Sequence, residues 1–195
     1  MQFPVETDTG SGERLHLLGI EEDDHGEYVA IEGHLEPGVG PPMHVHFGQD
    51  EGVRVEDGVI GYSVLDPSGE EHSGQAGPGE EITFLSGQFH RFWNDGDTPA
   101  RISGWVRPPG NFPWYISRVH ESLRNNGGER PGFFDGAFLS WRYRHEFQIA
   151  EIPAPVVRYV FPVVVGLGTL LGRYRKYRDA PAPASRSPTV QKSSQ

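Results

Sequence analysis

From Glu13 to about Arg107 the sequence alternates apolar and polar residues in short runs, each interrupted by residues that favour turns. A period of two puts every second side chain on one face, so such runs read as strands with one buried and one solvated side. The expected strands are Arg14–Ile20, Tyr28–Leu35, Gly52–Glu56, Val59–Leu65, Glu81–Leu85 and Arg101–Val106, separated by Asp24-His25-Gly26, Pro37-Gly38, Asp57-Gly58 and Asp95-Gly96. Asp57-Gly58 reads as a two-residue hairpin turn, because both residues tolerate the positive φ that such a turn needs. Strands this short and this regularly spaced predict a mainly β protein built as a barrel or jelly roll. Glycine (26) and proline (17) make up more than a fifth of the 195 residues, which suits many turns and few long helices.

After Pro108-Pro109-Gly110 the texture changes. Phe112, Ile116, Val119 and Leu123 recur at helical spacing, with Pro113 near the start and Asn126-Gly127 at the end, which predicts a helix. A second helix is expected over Asp135–Ala150, with Phe138, Trp141 and Ile149 on one side. The chain therefore divides into a barrel over residues 1–110, a helical extension over residues 111–178, and a Pro-, Ala- and Ser-rich tail over residues 179–195 that is expected to be disordered.

Charge divides at the same place. Residues 1–111 carry 21 acids and 5 bases, a net of −16, whereas residues 112–195 carry 6 acids and 12 bases, a net of +6. An acidic front half repels phosphate backbones, so nucleic acid is not expected as a partner. With no cysteine, disulfides, thiolate metal sites and cysteine nucleophiles are excluded, and a reducing cytosol suits the chain. The first residues lack the basic and apolar regions of a secretory signal, and a cytoplasmic location follows as the expectation.

Two passages carry the chemistry. In the first, His44 and His46 are two residues apart, so on one strand they point to the same face and can converge on one ion. Glu51 is an odd offset beyond His46, so it joins them only if the chain bends, which Gly48 permits. In the second, His90 follows Gly87 on what must be a separate strand. Three imidazoles and a carboxylate suit one divalent transition metal, with Fe(II), Mn, Ni, Cu or Zn as candidates, and do not suit Ca or Mg. The remaining histidines have no partner at ligand spacing.

These passages resemble the two sequence motifs of the cupin superfamily. Gly38, His44, His46, Glu51 and Gly58 match every fixed position of the first motif. Gly79, Gly87, His90 and Asn94 match the second, with Leu85 where the family has proline, a change that touches a turn and not a ligand. The resemblance implies a double-stranded β-helix with a metal at its centre held by His44, His46, Glu51 and His90, a homodimer, and oxidoreductase activity. A dioxygenase using Fe(II) on a small, aromatic or enolic substrate is the leading reading, with Glu51 also placed to act as a general base. Isomerases and lyases use the same ligands, and a non-catalytic small-molecule or metal sensor is the alternative from another class. Gln49, Gln88 and Asn94 are candidates for orienting the imidazoles, and Phe47, Phe84 and Phe92 for lining a substrate pocket, although core packing is the commoner fate of such aromatics.

One further segment stands out. Tyr159 to Gly172 contains no charge and is followed by Arg173-Tyr-Arg-Lys-Tyr-Arg178. As a helix it would be about 21 Å long, too short for a hydrocarbon core of roughly 30 Å. Residues 156–178 are therefore expected either to pack between subunits, the favoured reading, or to lie on a membrane as a peripheral contact.

Overall fold

The computed structural model describes residues 1–184; the expected disorder of residues 185–195 lies outside the described residues. Among the described residues eleven strands form two antiparallel sheets packed as a jelly roll, with helices following the barrel. The first sheet has the order β1 (Val5–Asp8), β2 (Glu13–Asp23), β3 (Gly26–Leu35), β10 (Ala100–Arg107), β5 (Asp50–Asp57) and β8 (Glu81–Phe84). The second runs β11 (Phe147–Ile149), β4 (His44–His46), β9 (His90–Asn94), β6 (Ile60–Leu65) and β7 (Glu71–Ala76).

Alternation accounts for the inward faces. In β2 the residues Glu13, Leu15 and Leu17 are buried; the register shifts at a bulge between Leu17 and Gly19, and Leu18 and Ile20 beyond it are exposed. Strands β1, β7 and β11 do not announce themselves in the sequence. β1 and β11 are short, and β7 is an edge strand with almost no buried side chain, so it has little alternation to read.

Three expectations change. Asp57-Gly58 does not close a hairpin, because β5 belongs to the first sheet and β6 to the second. Gly58 does adopt φ +90°, but it serves a corner where a Cβ would come 2.9 Å from that of Ala100. The second helix is shorter than the spacing predicts. α2 covers Phe133–Arg142, and the chain then turns and enters β11. Pairing with the open edge of β4 decides this: Phe47 N–H donates to Glu146 O at 2.9 Å and Ala150 N–H to Met43 O at 2.8 Å, bonds that a continued helix would forfeit. Finally, the start of the tail is docked. Its carbonyls accept from Tyr143 Oη (Pro181 O, 3.0 Å) and Asn111 Nδ2 (Ala182 O, 2.9 Å), and Ala184 N–H donates to Glu146 at 2.8 Å. An extended, proline-rich segment leaves its carbonyls free, and these neighbours use them.

The apolar interior has two parts. One is confined to the barrel and contains Leu35, Val53, Val55, Ile60, Phe84, Phe92 and Ile102. The other joins barrel to extension: Leu15, Leu17, Val29 and Val106 pack with Phe112, Trp114 and Tyr115 of α1 (Phe112–Asn125), and with Leu139, Tyr143 and Phe147. The helices thus share a core with the barrel. The apolar run near the C-terminus forms a widened turn over Val156–Val160 that continues into α3 (Phe161–Leu170). No helix among the described residues is long and apolar enough to cross a membrane.

Candidate metal centre

Sheet register brings the four side chains together. β4 and β9 are neighbours, and His44 lies directly opposite His90. His46, two residues along β4, projects to the same side as His44, and Glu51 arrives from β5 of the opposing sheet after the chain bends through residues 47–49. Gly48 is not what makes the bend possible: its φ is ordinary and nothing lies within 4 Å of a Cβ built there. Gly87 matters more. It adopts φ +81° between β8 and β9, and its N–H donates to His46 O at 2.8 Å, tying that turn to the histidine strand.

The Nε2 atoms of His90, His44 and His46 lie 3.0, 3.6 and 3.7 Å from Glu51 Oε2. One ligand-type atom from each of the four residues falls within 4.8 Å of all the others. All four side chains are largely buried, His90 most and His44 least. His90 stacks on Phe84 at 4.2 Å between ring centroids and an 8° interplanar angle, while His46 meets the edge of Phe147 at 5.2 Å and the ring of Phe112 at 5.6 Å. The cluster therefore sits where the two parts of the interior meet.

Hydrogen bonding fixes how the rings present themselves. Nδ1 of His44 lies 2.8 Å from Pro42 O, and Nδ1 of His90 lies 2.8 Å from Gln88 O. A carbonyl can only accept, so both Nδ1 atoms carry hydrogen, and it is the Nε2 of each ring that faces Glu51. Lone pairs facing an anionic oxygen repel unless a cation lies among them, whether a proton on an imidazole or a metal ion. Burial alone would raise the Glu51 pKa, but the bonds from His44 and His90 hold it well below the usual carboxylate range. Burial also opposes charging His44, yet Glu51 more than offsets it and leaves that imidazole above its ordinary value; His46, with less compensation, is pushed down to about 3 by burial. An anionic carboxylate facing imidazole Nε2 atoms is the donor set that a divalent transition metal takes, displacing any proton held on a ring as it binds. The residues fit such an ion.

The other residues singled out in the sequence divide. Gln88 contributes through its backbone carbonyl to His90. Gln49 Nε2 donates to Pro108 O and Pro109 O at 2.7 and 2.8 Å, and Asn94 Nδ2 donates to Leu35 O and Thr98 O at 2.9 and 2.7 Å, so these amides tie loops together and touch no imidazole. Phe84 and Phe92 are core residues, Phe84 doubling as the platform under His90, and Phe47 is surface-exposed. Two clefts each share one aromatic wall with the cluster. A cavity of about 650 Å³ is lined by Trp141, Arg144, Phe147, Ile149 and Arg158 among others, and the Phe147 ring packs on His46. A second of about 410 Å³ is lined by Tyr62, Gln75, Glu81 and Phe84 among others, and the Phe84 ring stacks on His90.

Two buried groups near the site are not among the sequence candidates: Glu13, absent from them altogether, and His120, set aside with the histidines that lack a partner at ligand spacing. Burial pushes the Glu13 carboxyl up to about 7, with His44 and Glu51 acting on it in opposite directions. His120 Nε2 is 3.9 Å from Glu13 Oε1, and burial pushes that imidazole down to about 4. The alternation of β2 was a signal for Glu13, since it shares a face with Leu15 and Leu17.

A jelly-roll barrel that gathers three imidazoles and a carboxylate in its interior defines a class of small β-barrels with a metal-type ligand cluster. Within that class, residues 31–106 match the family model described as "Cupin domain". Similar solved structures include a sugar phosphate isomerase of the cupin superfamily from Silicibacter pomeroyi, at 26% identity over 50% of this chain and 60% of that one, with a TM-score of 0.38. The capsular polysaccharide assembling protein CapF from Staphylococcus aureus matches at 19% identity over 47% and 28%, TM-score 0.39. An oxalate decarboxylase from Bacillus subtilis matches at 18% over 54% and 27%, TM-score 0.42. The chain spans less than a third of the latter two proteins' chains and under two thirds of the isomerase. Among curated proteins, none matches this sequence.

Proposed function

We propose that His44, His46, Glu51 and His90 hold one divalent transition metal, Fe(II) foremost, and that the protein is an oxidoreductase of the dioxygenase type acting on a small organic molecule. The observation that carries this reading is the convergence of three imidazole Nε2 atoms on one anionic carboxylate oxygen inside the barrel. When bound, the ion supplies Lewis acidity and, as iron, a redox centre. The chain's own residues do the rest. Pro42 O and Gln88 O hold the tautomers of His44 and His90, and Phe84 keeps the His90 ring in plane. Glu51 is the carboxylate within reach to accept a substrate proton, a role for which it must first leave the imidazoles that hold its pKa low. Burial of His46, Glu51 and His90, with His44 more exposed at the edge, limits bulk water at the reacting centre. The substrate reaches the site through one of the two flanking clefts, and the protein works as a cytoplasmic homodimer.

A separate task falls to residues 156–178, peripheral contact with a membrane. The second reading of the barrel is a metal-dependent isomerase or lyase, favoured by the same donor set; a ligand sensor is the third. Metal analysis of purified protein, followed by oxygen uptake across phenolic and diketone compounds, tests the assignment. About one transition ion per chain and substrate-dependent oxygen uptake are expected. A bound ion with product formed but no oxygen consumed moves the reading to isomerase or lyase, and tight ligand binding without any turnover moves it to the sensor. Absence of any bound or acquired ion overturns all of the metal readings.

A further inference from the structure

The helix α3 is apolar on both of its sides, and the protein covers only one of them. Val165 and Gly168 are buried on the side toward the rest of the molecule, where Gly168 leaves room for the Tyr174 ring: a Cβ there would lie 2.5 Å from the Tyr174 hydroxyl. On the other side Val160, Val163, Leu167, Leu170 and Leu171 follow one another at helical spacing and are 48%, 72%, 51%, 86% and 58% exposed. A run of large aliphatic side chains standing in solvent on one helix face is not a stable end state for a water-facing surface, and it marks a place where something else sits.

The charges around the stripe say what that is. Arg158 lies at its beginning and Arg173, Arg175 and Arg178 just beyond its end, all exposed. None of these four makes a salt bridge among the described residues, although Arg118, Arg124 and Lys176 of the same extension are each paired with a carboxylate. Packing of this stripe against the same stripe of a second copy would bring cations against cations, whether the two helices ran parallel or antiparallel. Arg158 and Arg173 rest on the rings of Tyr159 and Phe134, and no carboxylate of the described residues neutralises any of the four; an anionic surface answers both the apolar face and these charges. Spanning is excluded by length, since the 15 residues from Val156 to Leu170 make a helix of roughly 22 Å. The segment must therefore lie flat.

We propose that α3 seats the protein on an anionic lipid leaflet, with Val163, Leu167, Leu170 and Leu171 inserted at the headgroup boundary and Arg158, Arg173, Arg175 and Arg178 among the headgroups. This rests on the reading of residues 156–178 as a peripheral membrane contact, and it adds the chemistry of the surface and the face that meets it. It is independent of the metal assignment.

Flotation of the full-length protein with vesicles of phosphatidylcholine, or of phosphatidylcholine containing phosphatidylserine, tests it. The protein floats with the phosphatidylserine vesicles and not with pure phosphatidylcholine. Replacing Arg173 and Arg175 with glutamine weakens partitioning by roughly fivefold for each charge removed. The double variant Leu167→Ser with Leu170→Ser weakens it more than about tenfold. Both variants keep the circular dichroism spectrum and metal content of the parent, since the replaced side chains face solvent. Equal flotation with both kinds of vesicle overturns the anionic surface while leaving peripheral contact standing. Flotation with neither overturns both. A dimer in sedimentation that the double serine variant splits, without vesicle binding by the parent, makes the stripe a subunit interface and also overturns the proposal.

Discussion

The barrel and the helical extension dispose of their side chains in opposite ways. The barrel, with most of the chain's acids, sends three histidines and two glutamates inward and packs them against Phe84, Phe112 and Phe147. The extension, with most of the bases, buries aromatics against the barrel yet leaves a row of valine and leucine outside. A buried polar group survives only when it is paired, so inward polar residues imply a partner within the fold; His44, His46 and His90 find one in Glu51, and the metal proposed above would be a second. An exposed apolar row needs a partner outside it.

That contrast can be broken at several points. The largest effect falls on the ligand set. His90→Ala should lower metal affinity by more than the roughly 10–100-fold that loss of an outer-sphere partner costs, read by elemental analysis after dialysis. Retention of the ion at parental stoichiometry would show that the inward polar groups pair without it. Next is Phe84→Ala, which removes a buried ring and the platform under His90, and should cost about 3–5 kcal/mol in denaturant unfolding.

Glu13 gives a pH-dependent test of the same interior. Its folded pKa of about 7 lies above the ordinary 4.5, so burial penalises its charged form. The penalty is absent below pH 4.5, grows between 4.5 and 7, and is complete above that, at roughly 3 kcal/mol. In chelator-treated protein Glu13→Gln should thus stabilise the fold at pH 8 and make no difference at pH 4, as followed by thermal midpoints. A stabilisation equal at both pH values would mean that burial of charge is not its source. The smallest effect belongs to the extension: Leu170→Ser should change stability in solution by no more than about 0.5 kcal/mol, because its side chain touches little of the protein. A loss of several kcal/mol would place that leucine in the core and erase the contrast.

Much of the candidate centre was legible from spacing. His44 and His46 at a two-residue interval share a face in any strand, and the resemblance to the cupin motifs attaches Glu51 and His90 to them. The alternating runs likewise announced β2, β3, β5, β6, β8 and β10. What misled was chemistry that is local in sequence but used non-locally. Asp57-Gly58 has the backbone freedom of a hairpin and turns a corner between sheets instead; Phe147-Gln-Ile carries a helical pattern and is claimed by the free edge of β4. Gln49 and Asn94, polar and close to the ligands in sequence, spend their amides on loop carbonyls.

The sequence by itself determined which side chains can meet a metal and that short strands would carry them, because periodicity of two and fixed residue intervals are properties of the covalent chain. Only the tertiary structure decided that Glu51 crosses from the opposite sheet to face three imidazoles, that Glu13 and His120 are shut in beside them, and which side of α3 is left uncovered. A helix apolar all round contains no record of which side its own protein will take, since burial is settled by neighbours that lie far away along the chain.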